Sequence, residues 1–519
     1  MFKIIKLPTL NQYVFSFLNQ NKSTSSLYRF SSTVQLQGTI NLNNLKTKPL
    51  IDQKINNKHY DVAIIGGGSG GLAFALEASK HNLKTVVFDY VEQSTQGNTW
   101  GLGGTCVNVG CIPKKLMHTS GLYKEILLNS PGYGFDLNQL NEGKLDSKHF
   151  IWENLVQNVQ SYIKSINFGY KKQLVDKNID YVNALATFYD KNTLVFSPKS
   201  QHISSYLQDN NLINQEKQED LGKITADQIV IAVGGRPLIL PDEQCKNSYK
   251  YGITSDDIFM QKCPPRKTLV VGGGYIAVEC AGFLSTLGYH TSMMTRQLYL
   301  REFDQDIAYR IVYNLQKENG VNIVPTSLPS SIEKVDENLF KVKIVNQVTQ
   351  QETEDYKGRF ENELEQNKDI NCVYFQKLKL DVNDFPTTIF TPTEYSCTGL
   401  SEEQSIKKYG EENIEVYHSK YTPLEEQISP RYDEDYNSLQ RKAYAKIICN
   451  KLENDKIVGI HYLGPNAGEV MQGYAVAMKL GTTKFDLDRT IGIHPTTSEE
   501  FTGLNITKSS GEPYEKTSC

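Results

Sequence analysis

Apolar and polar positions alternate in two recognisable rhythms along the first half of the chain. Tyr60-Asp61-Val62-Ala63-Ile64-Ile65 is a short, nearly continuous apolar run, which predicts a buried strand. Gly66 to Gly71 follow, then Leu72 to His81 with helical spacing, then a second apolar run, Thr85 to Phe88, ending in Asp89. The pattern returns at Thr268 to Val271, with Gly272-Gly273-Gly274-Tyr275-Ile276-Ala277 and a predicted helix over Val278 to Leu287. Downstream the rhythm changes. Ile414 to His418, Ala443 to Asn450 and Ile457 to Leu463 read as strands, the last two bracketing a turn at Leu452-Glu453-Asn454-Asp455. Gly464 to Glu469 then open an apolar helix through Met478. Two strand-turn-helix units followed by antiparallel strands predict an α/β chain with two Rossmann-like dinucleotide-binding domains and an α+β C-terminal domain.

The first unit has a specific chemistry. Gly66 permits the tight turn, Gly68 lets backbone approach a pyrophosphate, and Gly71 lets helix pack on strand; Ser69 stands in the same cofactor-binding turn, ahead of the helix whose N–H groups face the phosphates. Asp89, 18 positions after Gly71, can accept from a ribose hydroxyl. In the second unit Gly272, Gly274 and Ala277 take the motif positions, but Arg296 and Arg301 stand where the ribose acid would be. Arginines there suit a 2′-phosphate and select NADP over NAD. One FAD and one NADPH are the economical pair for two such sites.

Composition narrows the class. The 519 residues are 39% hydrophobic and 22% charged with net charge −4, which describes a globular chain of several domains with no footprint for nucleic acid. No apolar stretch is long enough to predict a membrane-spanning helix. No metal-ligand spacing is assigned, and nine cysteines are too few and irregular for a disulfide scaffold. Residues 1–51 carry six basic side chains and no acid, leaving −10 for the remainder. This Ser-rich, acid-free composition is expected of a mitochondrial transit peptide, the alternatives being a cytoplasmic extension or a secretory signal.

Between the two units lies Gly103-Gly104-Thr105-Cys106-Val107-Asn108-Val109-Gly110-Cys111-Ile112-Pro113-Lys114-Lys115. Cysteines with four residues between them can face each other if Cys111 begins a helix, which Pro113 favours. A cysteine at a helix N-terminus near lysines has its thiolate favoured, so the pair suits redox exchange, although two core cysteines would share the spacing. His494 is the histidine best placed for acid–base work, in Ile493-His494-Pro495-Thr496-Thr497-Ser498-Glu499-Glu500. Glu499 reads equally as its orienting carboxylate or as part of a helix capping box with Thr496; Thr497 and Glu500 could form a second box.

These motifs resemble the pyridine nucleotide–disulfide oxidoreductases, and within them the large, animal-type thioredoxin reductases, from about Tyr60 to Cys519. The run Gly-Gly-Thr-Cys-Val-Asn-Val-Gly-Cys is shared with glutathione reductases, while Trp100-Gly101-Leu102 and the Arg296 to Arg301 spacing are typical of thioredoxin reductases. The resemblance implies that Cys111 is the flavin-proximal thiol, that Cys106 is the interchange thiol, and that Lys114 pairs with Glu279 near the flavin. It also implies that Gly104 and Thr105 belong to the flavin site and that Tyr275 covers the nicotinamide pocket. A homodimer is implied, in which the partner subunit's His494 and Glu499 serve the Cys106/Cys111 site. Ile506 to Gly511 resemble the base of a mobile redox arm that reduces thioredoxin through Cys519. A single thiol cannot form the vicinal pair that two-electron exchange uses, so a selenocysteine, encoded by the normally terminating UGA, is expected to follow Cys519. The alternatives are a one-thiol arm, or an incidental terminal cysteine. Glutathione reductase is the alternative enzyme, disfavoured by the arm.

One departure cuts against the resemblance. The family returns to its flavin domain through a strand ending Gly-Asp, and no Gly-Asp dipeptide occurs in this chain. Gln347 to Lys368 is instead polar, with no alternation strong enough to predict an element. A missing strand would leave the flavin sheet with an open edge. An inactive dimer-forming protein lacking stable FAD is therefore the reading from another class. The expected organisation is a transit segment over 1–57, an FAD domain over 58–234, an NADPH domain over 235–346, an irregular segment over 347–383, an interface domain over 384–503 and the arm over 504–519.

Overall fold

The computed structural model describes residues 54–135, 150–198, 221–336, 339–349, 352–357, 359–362, 385–426 and 443–515. The expectations for the transit segment and for Cys519 fall outside these residues.

The first sheet is built on β1 (His59–Ile65), whose inward and outward side chains are nearly all buried, as a central parallel strand requires. Parallel β2 (Thr85–Asp89) flanks it on one side, with β3 (Asp180–Asn183) beyond. On the other side comes β6 (Gly222–Ile231), followed by antiparallel β5 (Thr193–Ser197) and β4 (Leu185–Asp190), giving the order β3-β2-β1-β6-β5-β4. Helix α1 (Ser69–Lys80) starts one residue past Gly68. The turn before it tolerates only glycine at two places: Gly66 has φ +113°, and a Cβ on Gly71 would lie 1.9 Å from the Gly66 carbonyl oxygen.

Two consecutive helices, α2 (Gly104–Val109) and α3 (Cys111–Asn129), carry the cysteines. Helix α4 (Trp152–Asp176) buries Trp152, Val156, Val159 and Ile163 at spacings of one face of a helix. That stripe joins Met117 of α3 and Phe283 and Leu284 of α5 (Tyr275–Thr286) in one apolar core. The dithiol helix therefore rests on the helix of the second nucleotide-type unit.

That unit is a parallel sheet in which β7 (Thr268–Val271), β8 (Thr291–Met294) and β9 (Asn322–Val324) pair in that order, with α6 (Gln305–Lys317) packed alongside. A meander of β10 (Ser327–Asp336), β11 (Leu339–Asn346) and β12 (Glu352–Lys357) follows. The expectation of an irregular run from 347 is corrected here: Glu352–Lys357 pairs with β11, and β13 (Arg359–Asn362) pairs with β7. Their own alternation is weak; neighbouring strand edges recruit them. Residues 363–384 lie outside the described part.

The last unit is an antiparallel sheet ordered β14-β15-β18-β17-β16, from β14 (Thr387–Ile389), β15 (Tyr395–Gly399), β16 (Ile414–Tyr421), β17 (Ala443–Asn450) and β18 (Lys456–Leu463). Helices α7 (Glu402–Tyr409) and α8 (Ala467–Lys479) pack on it. Predicted and observed strands differ here by at most three residues, while the helices begin about three residues from where their apolar stripes do, because Gly-rich turns feed directly into them. Among the described residues no helix is long and apolar enough to cross a membrane, and no group of His, Cys, Asp or Glu could hold a metal ion.

Candidate active site

The dithiol is assembled where three backbone features converge. Gly103, with φ +109°, turns the chain into α2, and Gly68 and Gly103 form an isolated bridge. A Cβ on Gly104 would sit 2.7 Å from the Gly68 Cα, so the start of α2 is pressed against the first Gly-rich turn. This places Cys106 beside Ser69, which hydrogen-bonds to it, and Cys111 at the first residue of α3. The short helix α2 was not foreseen; six residues opened by a left-handed glycine carry no periodic signal.

The two thiols are hydrogen-bonded to each other. The bond from Cys111 lowers Cys106 to about 6, against the cost of burial and with help from Ser69 and Lys114. The same bond, with burial, pushes Cys111 above the ordinary thiol range. The pair therefore holds one proton and one negative charge at neutral pH.

Lys114, one turn into α3, reaches Glu279 of α5 at 2.8 Å, the two side chains being 12% and 2% exposed. Glu279 also accepts from the Phe390 N–H at 2.8 Å. Burial pushes its carboxyl up in spite of both partners. A neighbouring cluster had no counterpart in the sequence reading. Lys115 and His118 both reach Glu394 Oε1 at 3.0 Å, and the Lys114 and Lys115 ammonium groups lie 4.1 and 3.9 Å from the Phe390 ring centre. Burial opposes the Glu394 charge, and the hydrogen bonds from His118 and Lys115 outweigh it, holding the carboxyl below its usual range. The segment Phe390–Glu394 thus ties the antiparallel unit to the dithiol helix. Its only signal in the sequence was the expected start of the interface domain at 384.

Around the first Gly-rich turn, Asp89 accepts from the Gly67 N–H at 2.9 Å, and burial raises its pKa. Thr105 Oγ1 donates to the Gly235 carbonyl at 3.4 Å, and a Cβ on Gly70 or Gly235 would meet nothing within 4 Å. The open space beside Gly70 and Gly235, near the helix N-terminus and the dithiol, suits the diphosphate and ring ends of a flavin dinucleotide, which Gly66, Gly68, Ser69, Asp89, Gly104, Thr105, Lys114 and Glu279 could hold, while Gly71, buried against the Gly66 carbonyl, serves packing. The middle of such a ligand lacks its Gly-Asp. On the outer edge of β6, β5 pairs only with Gly222 to Thr225, and further along Ile231 is 60% and Val233 67% exposed. Among the described residues no strand covers this stretch of β6 on that side.

In the second unit the loop after β8 folds back on the Gly-rich turn, Leu300 N–H donating to the Gly273 carbonyl at 2.7 Å. Arg296 and Arg301 lie exposed on that loop, Arg301 3.4 Å from Glu302. Tyr275 stands 42% exposed at the first position of α5, and a Cβ on Gly274 would meet open space. Gly272, Gly274, Tyr275, Arg296 and Arg301 fit a phosphorylated nicotinamide dinucleotide. Ala277 does not belong with them: it is fully buried in the apolar core, and its part in the motif is packing.

His494 Nδ1 lies 3.0 Å from Glu499 Oε1. Thr496 and Glu499 also complete a capping box, the Glu499 N–H donating to Thr496 Oγ1 at 3.3 Å and the Thr496 N–H to Glu499 Oε1 at 3.4 Å. The two readings of Glu499 are not exclusive; one oxygen serves both. The second box, at Thr497, is not the one formed. The His494 ring is 69% exposed and paired to Glu499 rather than to a dithiol sulfur, so one chain alone does not bring it to Cys106.

Two glycine-rich turns at parallel strand ends, with a proton-sharing dithiol seated between them, define a two-dinucleotide dithiol oxidoreductase. Sequence comparison agrees with that class: the profile of the pyridine nucleotide-disulphide oxidoreductase family matches residues 60–360, and that of the family's dimerisation domain matches residues 385–504. The chain belongs to the pyridine nucleotide-disulphide oxidoreductase family. It is 39% identical over 523 residues to "Thioredoxin reductase SEP1" of Emiliania huxleyi, covering 89% of this chain and 98% of that protein. It is 36% identical over 518 residues to "Thioredoxin reductase 2, mitochondrial" of Drosophila melanogaster, covering 89% and 93%.

Proposed function

We propose that the chain catalyses NADPH-dependent reduction of thioredoxin: NADPH, a proton and the disulfide give NADP and two thiols. The observation that carries this reading is the Cys106–Cys111 pair, one thiolate stabilised beside Ser69 and Lys114 at the junction of the two nucleotide-type units. FAD, when bound, supplies the two-electron carrier between hydride and dithiol. Lys114 and Glu279 hold a cation at the flavin side of α3, and Tyr275 screens the second site. Cys106 is the outward attacking thiolate, and Cys111 resolves the mixed disulfide it forms. His494, held by Glu499, takes and returns the thiol proton. A homodimer brings the partner subunit's His494 to this dithiol, a reading supported by the dimerisation-domain match. The Cys519 thiolate opens the thioredoxin disulfide to a mixed disulfide, Cys106 attacks the Cys519 sulfur and releases dithiol thioredoxin, and Cys111 then displaces Cys519 as the Cys106–Cys111 disulfide forms, to be reduced again at the expense of NADPH. Mitochondrial residence is supported by the basic, acid-free N-terminal segment and by the name of the fly relative.

Purified protein under anaerobic conditions tests the reading. Yellow protein that develops a long-wavelength thiolate–flavin band with NADPH and then reduces thioredoxin is expected, with Cys106→Ser abolishing turnover. The exposed β6 edge favours a second reading, a dimer-forming protein without stable FAD. Colourless protein that leaves NADPH unoxidised in the presence of thioredoxin disulfide would establish that reading instead.

A further inference from the structure

The loop that carries the arginines of the second unit is held more firmly than its exposed tip suggests. It leaves β8 at Thr295, whose N–H donates to the Val324 carbonyl at 3.3 Å and whose carbonyl accepts from the Ser327 N–H at 3.0 Å. It then wraps the glycine turn. A Cβ on Gly273 would lie 2.8 Å from Thr295 Oγ1 and 3.0 Å from the Leu298 carbonyl oxygen, and the Leu300 N–H donates to the Gly273 carbonyl at 2.7 Å. Leu300 is buried and takes φ +47°, an outlier for a bulky side chain. Such a conformation persists only where its surroundings over-determine it. From Leu300 to Phe303 the chain makes a tight turn, the Phe303 N–H donating to the Leu300 carbonyl at 2.8 Å, with Arg301 and Glu302 at the two exposed corners. Gln305, the first residue of α6, closes the turn. Its Nε2 donates to both carbonyls that bracket the tip, Leu300 at 3.0 Å and Phe303 at 2.9 Å. The Gln305 N–H donates to Glu403 Oε1 at 3.3 Å, and Asp304 accepts from the Glu402 N–H at 3.3 Å, so the far end of the turn is fastened to α7 of the antiparallel unit.

We propose that Gln305 is a positioning residue for cofactor selectivity: by holding the Leu300–Phe303 turn it fixes Arg301 where the 2′-phosphate of an adenine dinucleotide arrives. This rests on the reading of Arg301 as a holder of that phosphate. A guanidinium gains most when its planar fork meets the phosphate oxygens in pairs, and at an exposed tip that alignment has to come from the backbone beneath it. Glu302, 3.4 Å from Arg301, competes for the same fork. That separation is longer than a close charge-assisted hydrogen bond; a turn of fixed shape keeps the pair apart, and a loosened one lets it close. Gln305 touches no nucleotide. Both donors of its amide are spent on the two carbonyls, which leaves none for a phosphate, so it acts through the turn alone. Two neutral hydrogen bonds set the scale of its effect, about tenfold in affinity.

The full-length protein, Gln305→Met, Arg301→Met and the double variant are titrated by calorimetry with adenosine 2′,5′-bisphosphate and with ADP, which lacks the 2′-phosphate. In Gln305→Met, which keeps the side-chain length and removes the donors, bisphosphate binding weakens about tenfold while ADP binding stays parental. Arg301→Met weakens bisphosphate binding at least as much, and adding Gln305→Met to it changes nothing further, since both act on one contact. Gln305→Ala takes the place of the methionine variant if that one does not fold. Parental bisphosphate affinity in Gln305→Met, or equal weakening of both nucleotides, overturns the proposal. A further loss in the double variant also overturns it, because Gln305 would then act by a route other than Arg301. Unchanged bisphosphate affinity in Arg301→Met overturns the underlying reading instead.

Discussion

Replacing Lys446 with methionine removes a cation that sits wholly inside a cluster of carboxylates. The Lys446 ammonium, 0% exposed, lies 2.8 Å from both oxygens of the equally buried Asp304 and 2.9 Å from Glu402, with Asp306 at 3.7 Å. Asp304 caps α6 by accepting from the Ile307 N–H at 3.3 Å, so the cluster joins the second nucleotide-type unit to the antiparallel one. Burial would raise the Asp304 carboxyl, yet the facing His461 and Lys446 bring it down to about 2. Removing one partner of such a pair leaves an uncompensated buried charge and costs about 3–5 kcal/mol. Urea unfolding of the full chain measures the loss. A second change, Asp304→Asn on the Lys446→Met background, deletes the stranded charge while keeping the cap acceptor, and should recover most of the stability. A loss under about 1 kcal/mol in the single variant, the scale of an exposed pair, would refute the burial argument. A double variant no more stable than the single one would refute the assignment to Asp304. The pH dependence has a definite sign. A carboxyl lowered in the folded state contributes stability above its unfolded value near 4, and that contribution is lost as pH falls from about 4 through 2. Lys446→Met should flatten that acid limb.

The reduced dithiol should react with iodoacetamide with a midpoint below the ordinary thiol value of about 8.5, because the neighbouring thiol stabilises the first thiolate; in Cys111→Ala, which removes that donor, the midpoint should move back up. Glu499→Gln keeps a residue competent for the capping box and removes the charge beside His494, so thermal stability should hold while thioredoxin turnover falls by up to about 10²-fold, the lower end of what a general acid–base contributes. Equal loss of both would mean that Glu499 serves the turn alone. Gly104→Ala forces a Cβ to 2.7 Å from the Gly68 Cα at φ +63°, and the flavin content of the purified protein should fall with it; parental flavin content would mean that the two turns can part without harm. Burial lowers His418 to about 4, so its neutral form is favoured when folded, and stability attributable to it should decline as pH falls from about 6.5 to 4. Difference melts of the parent and His418→Phe across that range measure the slope.

Chemistry carried by contiguous residues was legible, and chemistry carried by distant partners was not. The Gly66–Gly71 turn with Asp89, and the Cys106–Cys111 spacing before Pro113, each announce themselves because the strand, turn and helix that make them are consecutive. Lys115 and Glu394 are 279 positions apart, and only the packing of Phe390 across α3 brings them together. Lys446 and Asp304 meet across two units that share no local pattern. Strands β12 and β13 were hidden for a related reason, since a polar segment becomes a strand when β11 or β7 offers it an unpaired edge. The same logic runs in reverse on β6. There the described residues leave Ile231 and Val233 exposed. Gln228 to Ile231 pair with β1 on one side, and among the described residues no strand pairs with them on the other. The flavin site is thereby strongest where its parts are local, at the glycine turn and the dithiol, and weakest where it depends on a strand returning from the far side of the second unit.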